Sequence, residues 1–368
     1  MKNRARMSVA AAALLAAPAV MAPAAMAQDS INVFNWSDYI APDTLEKFTA
    51  ATGIRVNYDV FDSNDTLEAR LFAGASGFDV VVPTDLYMQR QIAAGLHMPL
   101  DKDLLPNLVH MDPDLMAQVA AFDPDNEHGV IYMWGTTGIG YNAAAVAERL
   151  GEDYVVNSWS ILFDPEKAAL FQDCGISMLD SPTDMLPPAM NYLGIDPNST
   201  DEESFEAAAE LLMSVRPYVR YFHSSQYITD LANGETCLAV GWSGDVLQAA
   251  ERAEEAGRGV EVGYAIPDEG AALWFDMLVI PADAPNPEGA HAFINFLMDP
   301  EIAADITNYV MFPNGNASSN EFIDPEVLND PTIYPTPEAK AGFWTLMPYD
   351  ARADRVATRI WTRVRTGQ

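Results

Sequence analysis

Short apolar segments alternate with helix-forming segments along the chain, beginning at Ile31. In the first part, strands are predicted at residues 31–35, 54–60 and 78–82, and helices at residues 42–53 and 64–73. Gly53 is expected to end the first helix, and Asn64 is expected to be the N-cap of the second. The run over residues 78–82 is continuously apolar, which is typical of a buried parallel strand. This βαβαβ order predicts an α/β fold.

The remainder of the chain repeats the alternation. Further strands are predicted at residues 176–179, 219–222, 236–242 and 273–280, and further helices at residues 200–214, 224–233, 245–256, 287–298 and 350–365. At least two open sheets are therefore expected. Ligands of such sheets bind beyond the carboxyl ends of the strands, so the segments that directly follow strands are the ones that indicate function.

The amino-terminal segment has the features of an export signal. Lys2, Arg4 and Arg6 precede an Ala-rich apolar run over residues 7–21, and residues 25–27 (AMA) fit the A-x-A cleavage pattern. A membrane anchor is the alternative, but the run is shorter than the roughly 20 residues of a spanning helix. We therefore expect residues 1–27 to be a cleaved signal peptide of a protein exported from a bacterial cytoplasm.

Cys174 and Cys237 are the two cysteines of the chain. An even pair in an exported protein favours one disulfide, which would stabilise the fold by about 4 kcal/mol in the chain-entropy model. A metal site and a catalytic thiol are the alternatives. Neither cysteine has the CxxC or Cys/His spacing of a zinc site, so a disulfide is predicted.

The charge balance excludes two classes of partner. The chain has 20 Lys and Arg residues against 53 Asp and Glu residues, a formal net charge of −33. Nucleic acids and anionic membrane surfaces need basic patches, so neither is expected as a partner. A solvated acidic surface explains most of the charge, and a cationic ligand is only weakly favoured by it.

Aromatic residues and carboxylates recur together at the predicted strands. The segments are Trp36-Ser37-Asp38-Tyr39, Thr84-Asp85, Asp180 to Asp184, Trp242-Ser243-Gly244-Asp245 and Trp274-Phe275-Asp276. Carboxylates make charge-assisted hydrogen bonds with ammonium groups, and aromatic faces attract cations and cover alkyl chains. Taken singly, such an Asp is more often a helix N-cap and such a Trp a core residue. Their repetition indicates a ligand with ammonium ends and a methylene middle.

Enzyme and cofactor motifs are incomplete. Residues 241–245 (GWSGD) lack the last glycine of the G-x-S-x-G nucleophile elbow, and residues 138–143 match G-x-G-x-x-A without a suitable acidic residue for a ribose. The histidines show no metal-ligand spacing, and residues 123–127 lack the glycine position and bidentate Glu of a calcium loop. No cofactor, metal or catalytic residue is predicted. An exported hydrolase with a carboxylate pair stays open as an alternative.

Several segments resemble one known family. Residues 35–40 (NWSDYI), 78–83 (FDVVVP), 136–142 (TTGIGYN), 221–227 (YFHSSQY), 230–234 (DLANG) and 241–242 (GW) are similar to the polyamine-binding periplasmic proteins of ABC importers. The similarity extends in order over nearly the whole chain after residue 27. It implies a periplasmic receptor that binds a polyamine and is not an enzyme, with putrescine as the expected ligand and spermidine as the alternative. A membrane permease is the implied partner, and a monomer is expected.

The resemblance also implies an architecture. Two α/β lobes, each an open and mostly parallel sheet flanked by helices, would be joined by crossing hinge segments. Residues 28–136 and 260–307 would form the first lobe, and residues 137–259 and 308–368 the second. The two cysteines match the disulfide of the family.

Individual roles follow by position from the resemblance. Trp36 and Trp242 would sandwich the methylene chain, and Asp245 and Asp276 would bind one ammonium group. Ser37, Asp38 and Tyr39 would line the cleft. The remaining expected ligand-binding residues depart from the family pattern: Thr84 replaces Ser, Asp184 replaces Glu, Trp274 replaces Phe, Phe312 replaces Tyr, and Asp85 adds a carboxylate. A receptor for an amino acid is disfavoured because the strand-end segments contain no Arg to bind its carboxylate.

Overall fold

The computed structural model describes residues 30–368. The signal peptide predicted over residues 1–27 lies outside the described residues. Within the described range, none of the helices has the length and apolar character required to span a bilayer.

The strands of the described part form one mixed sheet. They are β1 Ser30–Trp36, β2 Arg55–Phe61, β3 Val80–Val81, β4 Gly129–Asn142, β5 Ile176–Met178, β6 Val219–Phe222, β7 Leu238–Trp242, β8 Val262–Ala265 and β9 Leu273–Val279. Their order is β2-β1-β3-β9-β4-β7-β5-β6, with β8 paired to β4. Parallel pairs lie towards the two outer ends of this order, and antiparallel pairs surround β4.

Helices flank this sheet. Over residues 30–368 they are α1 Thr44–Thr52, α2 Asn64–Phe72, α3 Asp85–Ala93, α4 Pro113–Val119, α5 Ala143–Leu150, α6 Ser160–Phe163, α7 Pro165–Ala168, α8 Pro182–Tyr192, α9 Glu202–Val215, α10 Gln226–Asn233, α11 Ser243–Ala256, α12 Pro287–Leu297, α13 Pro300–Val310, α14 Pro325–Leu328, α15 Pro337–Lys340 and α16 Ala351–Thr366. The predicted α/β class is therefore confirmed.

Strand β4 joins the two halves of the sheet. Its residues from Gly129 to Thr136 pair antiparallel with β9, and its residues from Thr137 to Asn142 pair with β7 and β8. The pairing partner changes between Thr136 and Thr137. The two open sheets expected from the sequence are thus continuous through one strand.

Two separate hydrophobic cores define two lobes. The core of lobe 1 is drawn from residues 31–134 and 275–312, and the core of lobe 2 from residues 139–265 and 353–364. A smaller cluster from residues 304–333 lies beside them. This arrangement confirms the predicted two-lobed architecture.

Two local predictions can be compared with the structure. Gly53 ends α1 in the left-handed conformation (φ 76°), as predicted. Asn64 is not the N-cap of α2, so that prediction is wrong. The N-cap is Ser63, which has extended backbone angles and accepts a hydrogen bond from the Thr66 N–H. The Asn64 side chain is instead bonded to Thr84.

The predicted disulfide is confirmed. Cys174 is bonded to Cys237, with the two Cα atoms 5.6 Å apart. Cys174 lies just before β5 and Cys237 just before β7, which are neighbouring parallel strands. The bond therefore fixes the entry of two adjacent strands of lobe 2.

Candidate functional site

A cavity lies where strand ends of the two lobes meet. It contains about 740 Å³ of space, its open mouth included. Eleven of the twelve predicted ligand-binding residues line it: Trp36, Ser37, Tyr39, Thr84, Asp85, Asp184, Trp242, Asp245, Trp274, Asp276 and Phe312. The twelfth, Asp38, does not.

The positions of these residues follow from the topology. Trp36 is the last residue of β1 and Trp242 the last residue of β7, so each indole stands at a carboxyl end of its strand. Asp184 and Asp245 lie in the first turns of α8 and α11, directly after strands of lobe 2. Asp276 lies on β9, in a bridge with Thr84 at the start of α3. Strand ends from both lobes therefore converge on one space.

Asp276 is an almost fully buried carboxylate, with 4% of the residue exposed. Its Oδ1 accepts a hydrogen bond from the Thr84 hydroxyl (2.7 Å), and its Oδ2 accepts one from the Tyr39 hydroxyl (2.9 Å). Burial raises the pKa of Asp276 to about 7, despite these two bonds. Two neutral donors orient this group without neutralising its charge.

Asp245 is in a similar state, with 6% of the residue exposed. Its Oδ2 accepts a hydrogen bond from the Tyr227 hydroxyl (2.8 Å). That hydroxyl in turn accepts one from the backbone N–H of Trp242 (3.1 Å). Burial raises the pKa of Asp245 to about 7, and the negative charges of Asp38 and, less strongly, Asp276 act in the same direction. The charge of Asp276 therefore makes a small contribution at Asp245.

Asp184 and Asp85 add two carboxyl groups to the cavity lining, and the exposed Asp62 adds a third. Asp184 accepts hydrogen bonds from the Trp242 indole N–H (3.0 Å), the Thr137 hydroxyl (3.1 Å) and the Ser181 hydroxyl (2.6 Å). Burial raises its pKa. Asp85 accepts a hydrogen bond from the Leu86 N–H (2.6 Å), and burial raises its pKa well above the ordinary range.

No Lys or Arg lines this cavity within residues 30–368. Three buried carboxyl groups, Asp85, Asp245 and Asp276, thus share one space with the half-buried Asp184, and no cation from the described part of the chain lines the space beside them. Isolated charges are costly to bury. A cationic ligand would lower this cost, so the site favours cations and disfavours anions.

The indoles of Trp36 and Trp242 do not form the expected sandwich. Their ring centroids are 5.5 Å apart with an angle of 73° between the planes, so they meet edge to face. Hydrogen bonds fix both rings. The indole N–H of Trp36 donates to the Val82 carbonyl (2.9 Å), and the indole N–H of Trp242 donates to Asp184 (3.0 Å). The two indoles form adjoining walls of the cavity in place of parallel plates.

A second aromatic wall faces the same space. Phe312 lies edge to face against Tyr39, with centroids 5.1 Å apart, and tilted against Trp274 at 5.6 Å. These rings supply apolar surface next to the carboxylates. The cavity therefore combines the two features needed by an alkyl chain with charged ends.

Asp38 lies at the rim, where it connects the lobes. Its Oδ1 accepts a hydrogen bond from Arg252 of α11 at 2.7 Å, and its backbone is in the left-handed region (φ 55°). Ser37 and Ser225 also meet across the lobes, with their hydroxyl oxygens 3.3 Å apart. The structure thus places Asp38 in a contact between lobes.

Some lining residues were missed by the sequence analysis. They are Asp62, Asn64, Tyr87, Thr183, Ala272, Leu273 and Leu346. Asp62 and Asn64 directly follow β2, so the strand-end argument applied there would have found them. No such signal marks Tyr227, a fully buried α10 residue whose hydroxyl orients Asp245.

Metal binding has no support in the described residues. No group of three or more His, Cys, Asp or Glu side chains there is arranged to hold an ion. The cavity carboxylates are bonded to hydroxyl and N–H donors.

Comparison with known proteins identifies relatives along nearly the whole chain. The "Putrescine-binding periplasmic protein SpuD" of Pseudomonas aeruginosa is 51% identical over 359 residues, covering 96% of this chain and 98% of that protein. The "Putrescine-binding periplasmic protein PotF" of Escherichia coli is 48% identical, covering 93% and 92%. These matches confirm the resemblance drawn from the sequence motifs.

A solved structure and a family model agree with these relatives. A putative spermidine/putrescine ABC transporter from Listeria monocytogenes has a TM-score of 0.83 and 31% identity, covering 92% of this chain and all of that one. The model of the bacterial extracellular solute-binding proteins matches residues 43–336. Such matches confirm a binding protein and do not support a hydrolase. The chain therefore belongs to the family of bacterial extracellular solute-binding proteins.

Proposed function

We propose that this protein is a periplasmic receptor that captures a polyamine, putrescine foremost, between its lobes and delivers it to the membrane permease of an ABC importer. The observation that carries the proposal is a set of four carboxyl groups, three buried and one half-buried, in an aromatic cavity that no Lys or Arg of residues 30–368 lines. Relatives at 51% and 48% identity are named as putrescine-binding. Spermidine is the alternative ligand.

The carboxylates would bind the ammonium groups. Asp245 and Asp276 would share one of them, because both line the same cavity and a positive charge between them stabilises the ionised form of each buried carboxyl group. Asp184 would accept from the other ammonium group. Each bond would be strengthened by the low dielectric of the closed cavity.

The aromatic walls would cover the methylene chain. Trp36 and Trp242 would bound it on one side, and Phe312 and Trp274 on the other. Burial of each methylene group contributes about 0.8 kcal/mol. A ligand with one charge or no alkyl spacer would leave part of this lining unused.

Binding and closure would be coupled because the ligand contacts both lobes. Asp276 lies between core residues of lobe 1, and Asp245 lies beside Val246 of the lobe 2 core. A ligand that bridges them stabilises the closed form more than the open form, which shifts the population. We propose a division into residues 28–136 with 260–307 and residues 137–259 with 308–368. The two hydrophobic cores support it except at two boundaries, where Tyr264 and Ala265 pack in the lobe 2 core and Val310 and Phe312 pack in the lobe 1 core.

We further propose that the protein acts as a monomer in the periplasm, exported by the segment over residues 1–27. The relatives named above are periplasmic by name, which supports this location. The high negative charge supports a role without nucleic acid.

Calorimetric titration of the purified protein with putrescine, cadaverine, spermidine and spermine tests the proposal. N-acetylputrescine is the matched control ligand, because it keeps the alkyl chain and lacks one charge. We expect putrescine to bind most tightly and the acetylated compound at least 100-fold more weakly. Absence of heat and of a thermal shift with all four polyamines would refute the function.

A further inference from the structure

The segment Gly241-Trp242-Ser243-Gly244-Asp245 contains two glycines that backbone conformation does not explain. Neither Gly241 nor Gly244 has a positive φ. Gly244 is the second residue of α11, where alanine is the better helix former. A side chain is therefore excluded at these positions by their neighbours and not by the backbone.

The neighbour of Gly244 is the ring of Phe312. A Cβ atom added to Gly244 would lie about 2.5 Å from Cγ and Cε2 of that ring, far inside van der Waals contact. Phe312 is almost fully buried and also contacts Tyr39 and Trp274 in the cavity wall. The cavity is the space into which the ring could move, and a ring displaced there would narrow the ligand site.

The neighbour of Gly241 is the ring of Tyr227. A Cβ atom added to Gly241 would lie 2.6 Å from Cε2 of that ring. The close approach lets the Tyr227 hydroxyl reach both Oδ2 of Asp245 and the backbone N–H of Trp242. One ring thus orients the carboxylate and the start of α11 together.

We propose that Gly244 is a positioning residue of the polyamine site, whose bare backbone lets the ring of Phe312 pack against the segment that carries Asp245. This inference rests on the proposed function. The Phe312 side chain belongs to the core of lobe 1 and Gly244 to α11 of lobe 2. Contact at Gly244 therefore sets both the width of the cavity and the approach of the lobes.

A double-mutant cycle between Gly244→Ala and Phe312→Ala, read by putrescine titration, tests the proposal. We expect Gly244→Ala alone to raise the Kd at least tenfold. In the Phe312→Ala background, where the obstructing ring atoms are gone, the same substitution should change the Kd less than twofold. Gly342→Ala is the matched control, because its added Cβ meets only ordinary contacts of 3.6 Å and more.

The outcomes separate the two proposals. A wild-type protein that binds no polyamine overturns the proposed function and this role with it. A wild-type protein that binds, with Gly244→Ala binding equally well or losing the same factor in both backgrounds, overturns only the role of Gly244. If Gly244→Ala does not fold by circular dichroism, the double variant decides. A double variant that folds and binds putrescine as the Phe312→Ala variant does supports the inference. A double variant that fails to fold refutes it.

Discussion

Arg252 in α11 donates a hydrogen bond to Oδ1 of Asp38 over 2.7 Å, and this ion pair joins lobe 2 to lobe 1 outside the cavity. The two side chains are 36% and 38% exposed. Such pairs contribute at most about 1 kcal/mol because water and salt screen them. This energy acts on lobe closure, since the two partners separate when the lobes open.

Replacement of Asp38 by Asn should weaken ligand binding modestly. We expect a two- to fivefold higher Kd for putrescine at low salt, with the difference decreasing at about 0.5 M NaCl. Titration calorimetry at two salt concentrations measures it. Asp173→Asn is the control, because it removes an exposed ion pair with Arg149 inside lobe 2. An equal loss in both variants would exclude a specific role in closure.

Replacement of Asp276 by Asn should separate binding from stability. The amide keeps the shape of the side chain, and the Thr84 and Tyr39 hydroxyls can rotate to suit it. Putrescine binding should lose about 2–4 kcal/mol, since one carboxylate of the ammonium site is gone. The ligand-free protein should melt at an equal or higher temperature, because a buried charge is removed. Calorimetric titration and thermal unfolding together measure these effects, and wild-type affinity would contradict the assignment.

Binding should depend on pH through Asp245 and Asp276. Both have a pKa of about 7 in the ligand-free protein, so they are largely protonated below pH 7. A dication needs them ionised, so affinity should increase as the pH rises from 5 to 8 and then level off. Below pH 7, binding should release protons. Titrations at pH 6 in two buffers of different ionisation enthalpy detect this release, and identical heats would contradict it.

The stability of the ligand-free protein should show the opposite dependence. The unfolded chain loses these two protons near pH 4, whereas the folded protein keeps them up to about pH 7. Between these limits the folded state binds more protons, so its stability decreases as the pH rises. Urea unfolding of the wild type and of Asp276→Asn at pH 5 and pH 7 measures this. The variant should show the smaller decrease.

Replacement of Trp242 distinguishes its ring from its N–H group. The indole lines the cavity and also donates to Asp184 at 3.0 Å. Trp242→Phe should cost about 1 kcal/mol of binding through the lost hydrogen bond, and Trp242→Ala up to about 4 kcal/mol through the lost ring as well. Titration with putrescine measures both. Equal losses in the two variants would assign the whole effect to the N–H.

Part of the cavity lining was predictable because position along a strand determines it. Trp36 ends β1 and Asp245 lies three residues after the end of β7, and the alternation of strands and helices locates these ends. Asp276 lies in the middle of β9, and the assignment of Phe312, which follows α13, rests on the family resemblance alone. The angle between the Trp36 and Trp242 rings was not predictable. It depends on hydrogen bonds to Val82 and Asp184, which are distant in sequence.

Strand β4 was missed for a different physical reason. Its glycines at positions 129, 135, 138 and 140 interrupt the apolar pattern that marks a strand. In the fold they admit large neighbours: the Trp274 ring lies against Gly135, and the Tyr264 ring against Gly138. The requirement comes from side chains supplied by other strands, so local pattern cannot reveal it.

The shared strand β4 also bears on how the protein denatures. Its two segments provide backbone partners for β9 on one side of Thr136 and for β7 and β8 on the other. If one lobe melted, half of β4 would lose the hydrogen-bond partners of its N–H and C=O groups, while the other half of the same strand stayed paired in the remaining lobe. The lobes, although built on separate cores, should consequently come apart in a single calorimetric transition.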